Sequence, residues 1–203
     1  MIALFISSCS RERALAQTTE PSVPHTTLVI FAQARMTDSE WTALFDAIQK
    51  SARNAVVETP AMKGDLELVR GDTIVHGLVV SNPISVYLHG ECRLFPMPRY
   101  TPTGALGWVR RVHGRIEPFI HVNCAEIAQE LGSLVLGMNQ RRRDMVMGEA
   151  MARVIVHEWV HVATQNAGHA KRGVSKSSFG VADLLAEDVE IRKDPRFPRR
   201  RWD

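Results

Sequence analysis

Short apolar runs occupy the first two-thirds of the chain, and helical periodicity takes over in the last third. Residues 27–32 form an apolar, β-branched run, which predicts a buried strand. Gly, Asn and Pro separate the runs that follow, as is typical of successive strands with turns between them. These further predicted strands are residues 66–70, 77–81, 84–89 and 116–123.

Three segments carry apolar residues at helical spacing. Residues 37–52 lie between the first two predicted strands, and residues 124–136 and about 144–166 follow the last one. Thr37 followed by Glu40 has the capping-box pattern, so the first of these helices is expected to begin at Thr37. Gly168 lies just beyond the third helix, where a left-handed C-cap is expected. Strands followed by helices predict an α+β domain.

The composition is that of an ordinary globular protein, with 203 residues, 45% hydrophobic and 23% charged. No stretch approaches the ~20 apolar residues that a membrane-spanning helix needs. The net charge of +3 is small and concentrated in two arginine runs, so nucleic-acid binding is not indicated. We expect a monomeric domain over residues 26–195, preceded by a leader or linker at 1–25 and followed by a basic tail at 196–203.

The N-terminus has features of export. Met1–Ile6 is apolar, small residues lead into Cys9, and residues 14–16 offer a small-x-small cleavage site. We expect a periplasmic or secreted protein, or one carrying a lipid anchor at Cys9. A cytoplasmic protein is the alternative, because no basic residue precedes the apolar run and Arg11 and Arg13 interrupt it.

Cysteine usage favours the same compartment. With Cys9 assigned to the leader, Cys92 and Cys124 remain as an even pair, and each follows or lies within a strand-like run. A disulfide between neighbouring strands is therefore expected. Two buried free thiols in a reducing compartment are the alternative.

The candidate chemistry lies in the third predicted helix, which contains His157-Glu158-Trp159-Val160-His161. Residues four apart share one face of a helix, so both imidazoles can bind one Zn²⁺ ion. Glu158 is the next residue, so its side chain is rotated about 100° around the helix axis from that of His157. In that position it can act as general base toward a zinc-activated water. The apolar residues around the motif indicate a helix buried in the core.

A catalytic zinc site needs a third protein ligand and an open position for water. His169 follows His161 by eight residues, and Gly168 lets the chain turn back toward the metal. Acidic residues on a following helix are the alternatives, namely Asp183, Glu187 and Glu190. The remaining histidines stand singly in strand or loop contexts and are not expected to bind metal: His76, His89, His113 and His121.

Around this motif, over residues 145–175, the chain resembles the zincin metallopeptidases, and more closely their metzincin branch. Its segment at 169–185 is also similar to that of small uncharacterised bacterial proteins with zincin motifs. It departs from the metzincin pattern in three ways: Thr164 replaces a glycine, His169 comes two residues late, and no methionine follows His161. Residues 173–175 are the candidate replacement for the methionine-containing turn.

The resemblance implies a twisted mixed sheet packed on a long active-site helix, with a small C-terminal lobe. It further implies an edge strand, assigned to residues 84–89, that pairs with an extended peptide substrate beside a loop at 93–107. The expected function is zinc-dependent endopeptidase activity. The alternative, motivated by the missing glycine and methionine, is an inactive zinc-binding or partner-binding protein on a peptidase scaffold.

Overall fold

A computed structural model describes residues 25–74, 80–96, 104–169 and 180–185. Within these ranges the chain has the expected α+β fold, with five strands and four α-helices. The strands are β1 His25–Ala32, β2 Asp65–Arg70, β3 Pro83–His89, β4 Gly107–Val112 and β5 Arg115–Asn123. The helices are α1 Asp38–Glu58, α2 Cys124–Leu131, α3 Gln140–Thr164 and α4 Val181–Leu184.

The five strands form one mixed sheet in the order β2-β1-β3-β5-β4. Its first four strands are parallel, and β4 is antiparallel to β5 at one edge. The assignment of residues 84–89 to an edge is wrong, because β3 lies between β1 and β5 and hydrogen-bonds to both. The edge strand on that side is β4. It begins at Gly107, the last residue of the loop predicted at 93–107, and no strand is predicted at its position.

One face of the sheet packs with α1 and α3 in a single hydrophobic cluster. Alternate residues of the inner strands point into this cluster, as the two-residue period of a strand requires. The fully buried members include Leu28 and Ile30 of β1, Val86 and Leu88 of β3, Ile120 of β5, Leu44 and Ile48 of α1, and Met151 and Ile155 of α3. Gly148 lets α1 and α3 come close, since a Cβ there would lie 2.8 Å from the carbonyl carbon of Ala43.

The helix boundaries agree with their sequence signals at the start of α1 and differ at the end of α3. Thr37 caps α1, and its backbone N–H donates to Glu40 Oε2 at 2.6 Å, so the capping box is present. The helix continues to Glu58, beyond the expected end near residue 52. At the end of α3 the left-handed residue is Gln165, with φ of 55°, and not the expected Gly168.

The predicted cysteine pair is present as a disulfide. Cys92 follows β3 and Cys124 begins α2 directly after β5, so parallel pairing of these two strands brings the residues to a Cα–Cα distance of 4.8 Å. Both cysteines are buried, and Cys124 Sγ lies 3.6 Å from Met151 Sδ of α3. The bridge therefore connects the ends of two central strands beside the helix that holds the histidine motif.

Loss of this disulfide is expected to destabilise the fold substantially. The bridge closes a loop of sequence separation 32, for which the chain-entropy model gives about 3–4 kcal/mol of unfolding free energy. For a chain of this size that corresponds to a fall of roughly 6–16 °C in melting temperature. Thermal denaturation of the wild type with and without reductant measures this difference in melting temperature. A Cys92→Ala/Cys124→Ala variant is the control, and its melting temperature should not respond to reductant.

Several expectations lie wholly or largely outside the described residues. These are the leader or linker with Cys9, most of the strand at 77–81, the middle of the loop at 93–107, the turn at 173–175, Glu187, Glu190 and the basic tail at 196–203. Residues 80 and 81, at the end of the strand expected at 77–81, are not in a strand. Among the described helices, none combines the length and apolar character needed to cross a membrane.

Candidate metal centre

The histidine motif lies in the buried C-terminal half of α3. His157, Glu158 and His161 are each only 5–6% exposed, and the helix around them contributes Val154, Ile155 and Val156 to the core. The four-residue spacing places both histidines on one face of the helix, as expected from 3.6 residues per turn. Buried polar groups of this kind usually have partners, and for the two histidines these are each other and the backbone of Asn166.

The two motif histidines converge on one point. Their Nε2 atoms lie 3.1 Å apart, with the rings nearly perpendicular at 86°. His161 Nδ1 donates to the backbone carbonyl of Asn166 at 2.6 Å, which fixes the proton on Nδ1 of the neutral ring and leaves the Nε2 lone pair free. A histidine that binds a metal commonly has its second nitrogen held in this way.

His169 joins this pair from the segment that follows the helix. Its ring is stacked on His157 at 5.4 Å and 9°, and lies edge-on to His161 at 4.9 Å. One donor atom from each of the three histidines lies within 4.8 Å of the others, while His169 itself is exposed. Two ligands of a tetrahedral zinc lie about 3.3 Å apart. The Nε2 atoms of His157 and His161 are already about this far apart. The ring of His169 is exposed, so it is the one that can change its position.

Of the alternative third ligands, one falls within the described residues. Asp183 is at the third position of α4, where its Oδ2 accepts the backbone N–H of Gly180 at 3.1 Å. It does not belong to the histidine group. Glu187 and Glu190 lie outside the described residues. Among the positions that the structure describes, His169 is therefore the one brought to the motif.

Glu158 lies beside the histidines with its carboxyl group buried. Its Oε1 is 3.9 Å from His157 Nε2, and burial raises the pKa of this carboxyl to about 7. The edge strand β4 passes directly over it at Gly107, where a side chain would overlap Val154 and lie 3.3 Å from Glu158 Cγ. A proton acceptor thus lies between the ligand group and the sheet edge, at a point where only glycine allows the strand to approach.

Gln165 clamps the end of α3 to the sheet. Its side-chain amide forms two hydrogen bonds with the backbone of Ile116 in β5, one to the N–H at 2.9 Å and one to the carbonyl at 3.0 Å. The same Nε2 also donates to Val162 O at 2.8 Å. Because the next residue, Asn166, accepts the His161 hydrogen bond, the clamp fixes the position of that carbonyl.

The imidazole donors are predictable from the sequence, but the groups that orient them are not. Asn166 acts through its backbone carbonyl, which has no residue-specific signature, and its side chain also accepts the Gly168 N–H at 2.8 Å. This second contact is an Asx-type turn that directs the chain toward His169. An Asn–x–Gly sequence after a helix was the available signal for the turn.

The donor set suits a divalent transition metal. Three imidazoles are a ligand set typical of catalytic zinc, and among the described residues no further donor occupies the fourth position. The buried pair is already at the separation of two metal ligands, and one of its rings has a fixed tautomer. The residues therefore fit a zinc ion, with His157, His161 and His169 as the groups that would hold it.

Comparison with known proteins gives no assignment: no protein-family model, no curated protein and no solved structure matches this chain.

Proposed function

We propose that the protein is a zinc-dependent endopeptidase of zincin type. The observation that carries the proposal is the convergence of His157, His161 and His169 beside the buried carboxyl group of Glu158. Among the described residues no fourth ligand joins the three imidazoles, which leaves room for water and substrate, and an adjacent carboxyl group provides a proton acceptor. The resemblance of residues 145–175 to metzincins supports the same reading.

In this proposal the protein residues have separate tasks. His157, His161 and His169 would hold the zinc ion, which when bound would supply an acidified water and polarise the carbonyl of the scissile bond. Glu158 accepts the proton of the attacking water and passes it to the nitrogen of the leaving amine. Asn166 holds the ring of His161 through its carbonyl oxygen, and the apolar residues around the motif keep bulk water away from the buried carboxyl group.

The substrate is proposed to bind along β4. This strand replaces β3 as the candidate docking edge, because β4 pairs only with β5 among the described strands and crosses the helix at Glu158. An extended peptide can add to such an edge through backbone hydrogen bonds. The peptide backbone would then run past the histidine group, as hydrolysis requires.

The disulfide supports the export part of the proposal. Structural disulfides persist in oxidising compartments, so the buried Cys92–Cys124 bridge is compatible with a periplasmic, secreted or lipid-anchored protein.

Metal dependence provides the direct test. Purified protein is expected to contain about one zinc per chain and to cleave an unstructured protein at internal bonds. Removing the metal with a chelator should abolish cleavage, and one equivalent of zinc should restore it. Metal analysis and mass spectrometry of the products measure these effects. Stoichiometric zinc without cleavage of any peptide would contradict the proposal and favour the inactive metal-binding alternative.

A further inference from the structure

A row of aromatic side chains crosses the sheet on the face opposite the core. Phe31, Tyr87, His121 and Trp108 come from β1, β3, β5 and β4, and each pairs in register with the next. Successive ring centroids are 5.4, 5.3 and 5.0 Å apart, with interplanar angles of 15°, 20° and 9°. These spacings follow the separation of neighbouring strands, so the rings form a stack with one ring per strand.

His89 extends the stack sideways. Its Nε2 forms a 3.0 Å hydrogen bond with His121 Nδ1, and its ring is stacked on Trp108 at 5.4 Å and 12°. Both histidines were expected to stand alone, but parallel pairing of β3 and β5 brings them together. Trp108 therefore has its inner face covered by two imidazoles, which hold the indole in one orientation.

The two ends of the stack differ. Toward β2, the ring of Phe31 covers Gly71, where a side chain would overlap the ring, so this end is closed by the chain itself. At the other end Trp108 lies in the edge strand β4 and is 37% exposed. Among the described residues no strand lies beyond it. The position for a further ring is one strand spacing outward from Trp108.

Arg110 follows Trp108 by two residues, just before the register shift between Val109 and Arg111 in the pairing with β5. Trp108 and Arg110 are both exposed while Val109 between them is less so, which places Arg110 on the face of Trp108. Its charge helps to lower the pKa of His121, after burial and His89, which places the guanidinium near the stack. Arg110 is exposed, and no described residue forms an ion pair with it. The outer face of the edge strand therefore presents an aromatic surface and, two residues along, an uncompensated positive charge.

We infer that Trp108 and Arg110 determine substrate specificity, selecting extended peptides in which an aromatic residue and an acidic residue are separated by one residue. The inference rests on the proposed function, in which the substrate pairs with β4. Strand addition places alternate side chains of the peptide opposite those of β4 at about 4.5–5.5 Å. An aromatic side chain opposite Trp108 continues the stack, and an acidic side chain two residues away meets Arg110.

Cleavage profiling of a synthetic peptide library with blocked termini tests this. Cross-strand aromatic and ionic pairs each correspond to about two- to fivefold in binding. Zinc-loaded wild-type protein should therefore prefer peptides with the aromatic–x–acidic pattern, in either order, by about that factor for each residue. Trp108→Ala should lose the aromatic preference and keep the acidic one. Arg110→Glu should change the acidic preference into a basic one of similar size.

Phe119→Ala is the matched control. Phe119 is 39% exposed and lies on β5, an interior strand, so its removal deletes an equally exposed ring that is not at the edge. Its preference for an aromatic residue should equal that of the wild type. Trp108→Phe keeps a ring at the edge and should restore most of the aromatic preference, which separates loss of stacking from loss of folding.

A second measurement separates this inference from the proposed hydrolysis. Enrichment of the same library on immobilised Glu158→Gln protein reports peptide binding without cleavage. If no variant cleaves but enrichment shows the pattern and its dependence on Trp108, the inference stands and the proposed hydrolysis is wrong. Cleavage without the pattern, or a pattern that Trp108→Ala and Arg110→Glu leave unchanged, overturns the inference, as does the absence of both cleavage and enrichment.

Discussion

Replacing Glu158 with Gln is expected to lower peptide hydrolysis by on the order of 10² or more while the protein keeps its metal. The amide has nearly the size of the carboxyl group but cannot accept the proton of the attacking water. The three donors of the histidine group are unchanged, because Glu158 is not one of them. Steady-state cleavage rates, measured beside the zinc content of the same preparations, give both quantities.

Glu149→Gln is the matched control for this variant. Glu149 also lies on α3, nine residues before Glu158, which corresponds to about 13 Å along the helix. Its Oε1 lies 3.9 Å from Lys50 Nζ of α1. The control removes the same charge from the same helix and should cleave at the wild-type rate. Equal activity of the Glu158 and Glu149 variants would show that Glu158 is not the base.

Replacing His169 with Ala is expected to reduce zinc affinity by on the order of 10² or more, and hydrolysis with it. Loss of a residue that only orients a metal ligand typically costs 10- to 100-fold in affinity, so loss of a ligand should cost at least as much. Folding should be little affected, because His169 is exposed. Competition with a chromogenic chelator measures the affinity, and thermal denaturation of the metal-free protein checks the fold.

The alternative third ligands provide the comparison for this experiment. Asp183→Ala removes the hydrogen bond to Gly180 and is expected to disturb α4 without changing zinc affinity. Glu187→Ala and Glu190→Ala should also leave the affinity unchanged. If one of these variants loses zinc while His169→Ala retains it, the third ligand is acidic and the assignment of His169 is wrong.

The sequence predicts the chemistry of the site better than the arrangement of the sheet. The positions of His157 and His161 follow from helical period alone, and the disulfide follows from two cysteines placed after neighbouring strands. Strand order has no comparable local signal. Residues 84–89 alternate between buried and less buried positions, a pattern that an edge strand and an interior strand can share, so β3 could not be placed without its partners.

Most of the remaining difference between the predicted and the observed sheet comes from strand β4, which was not predicted. Its sequence, Gly-Trp-Val-Arg-Arg-Val, has two consecutive arginines and no continuous apolar run, because an edge strand buries little of its surface. Gly107 reads as a loop residue in sequence, although its role is to let the strand approach Glu158. The aromatic stack could not be predicted either, because its members are far apart in the chain and are brought together only by the register of the strands.

The clamp formed by Gln165 has a consequence for metal uptake. It fastens the last turn of α3 to β5 and thereby holds the acceptor that selects the His161 tautomer. The ring of His161 is thus oriented by folding, before any ion arrives, and His157 is buried beside it, so only the exposed His169 has to adjust its position. Ion capture should accordingly be rapid and accompanied by little change in circular dichroism, unlike small zinc domains that acquire their structure from the ion.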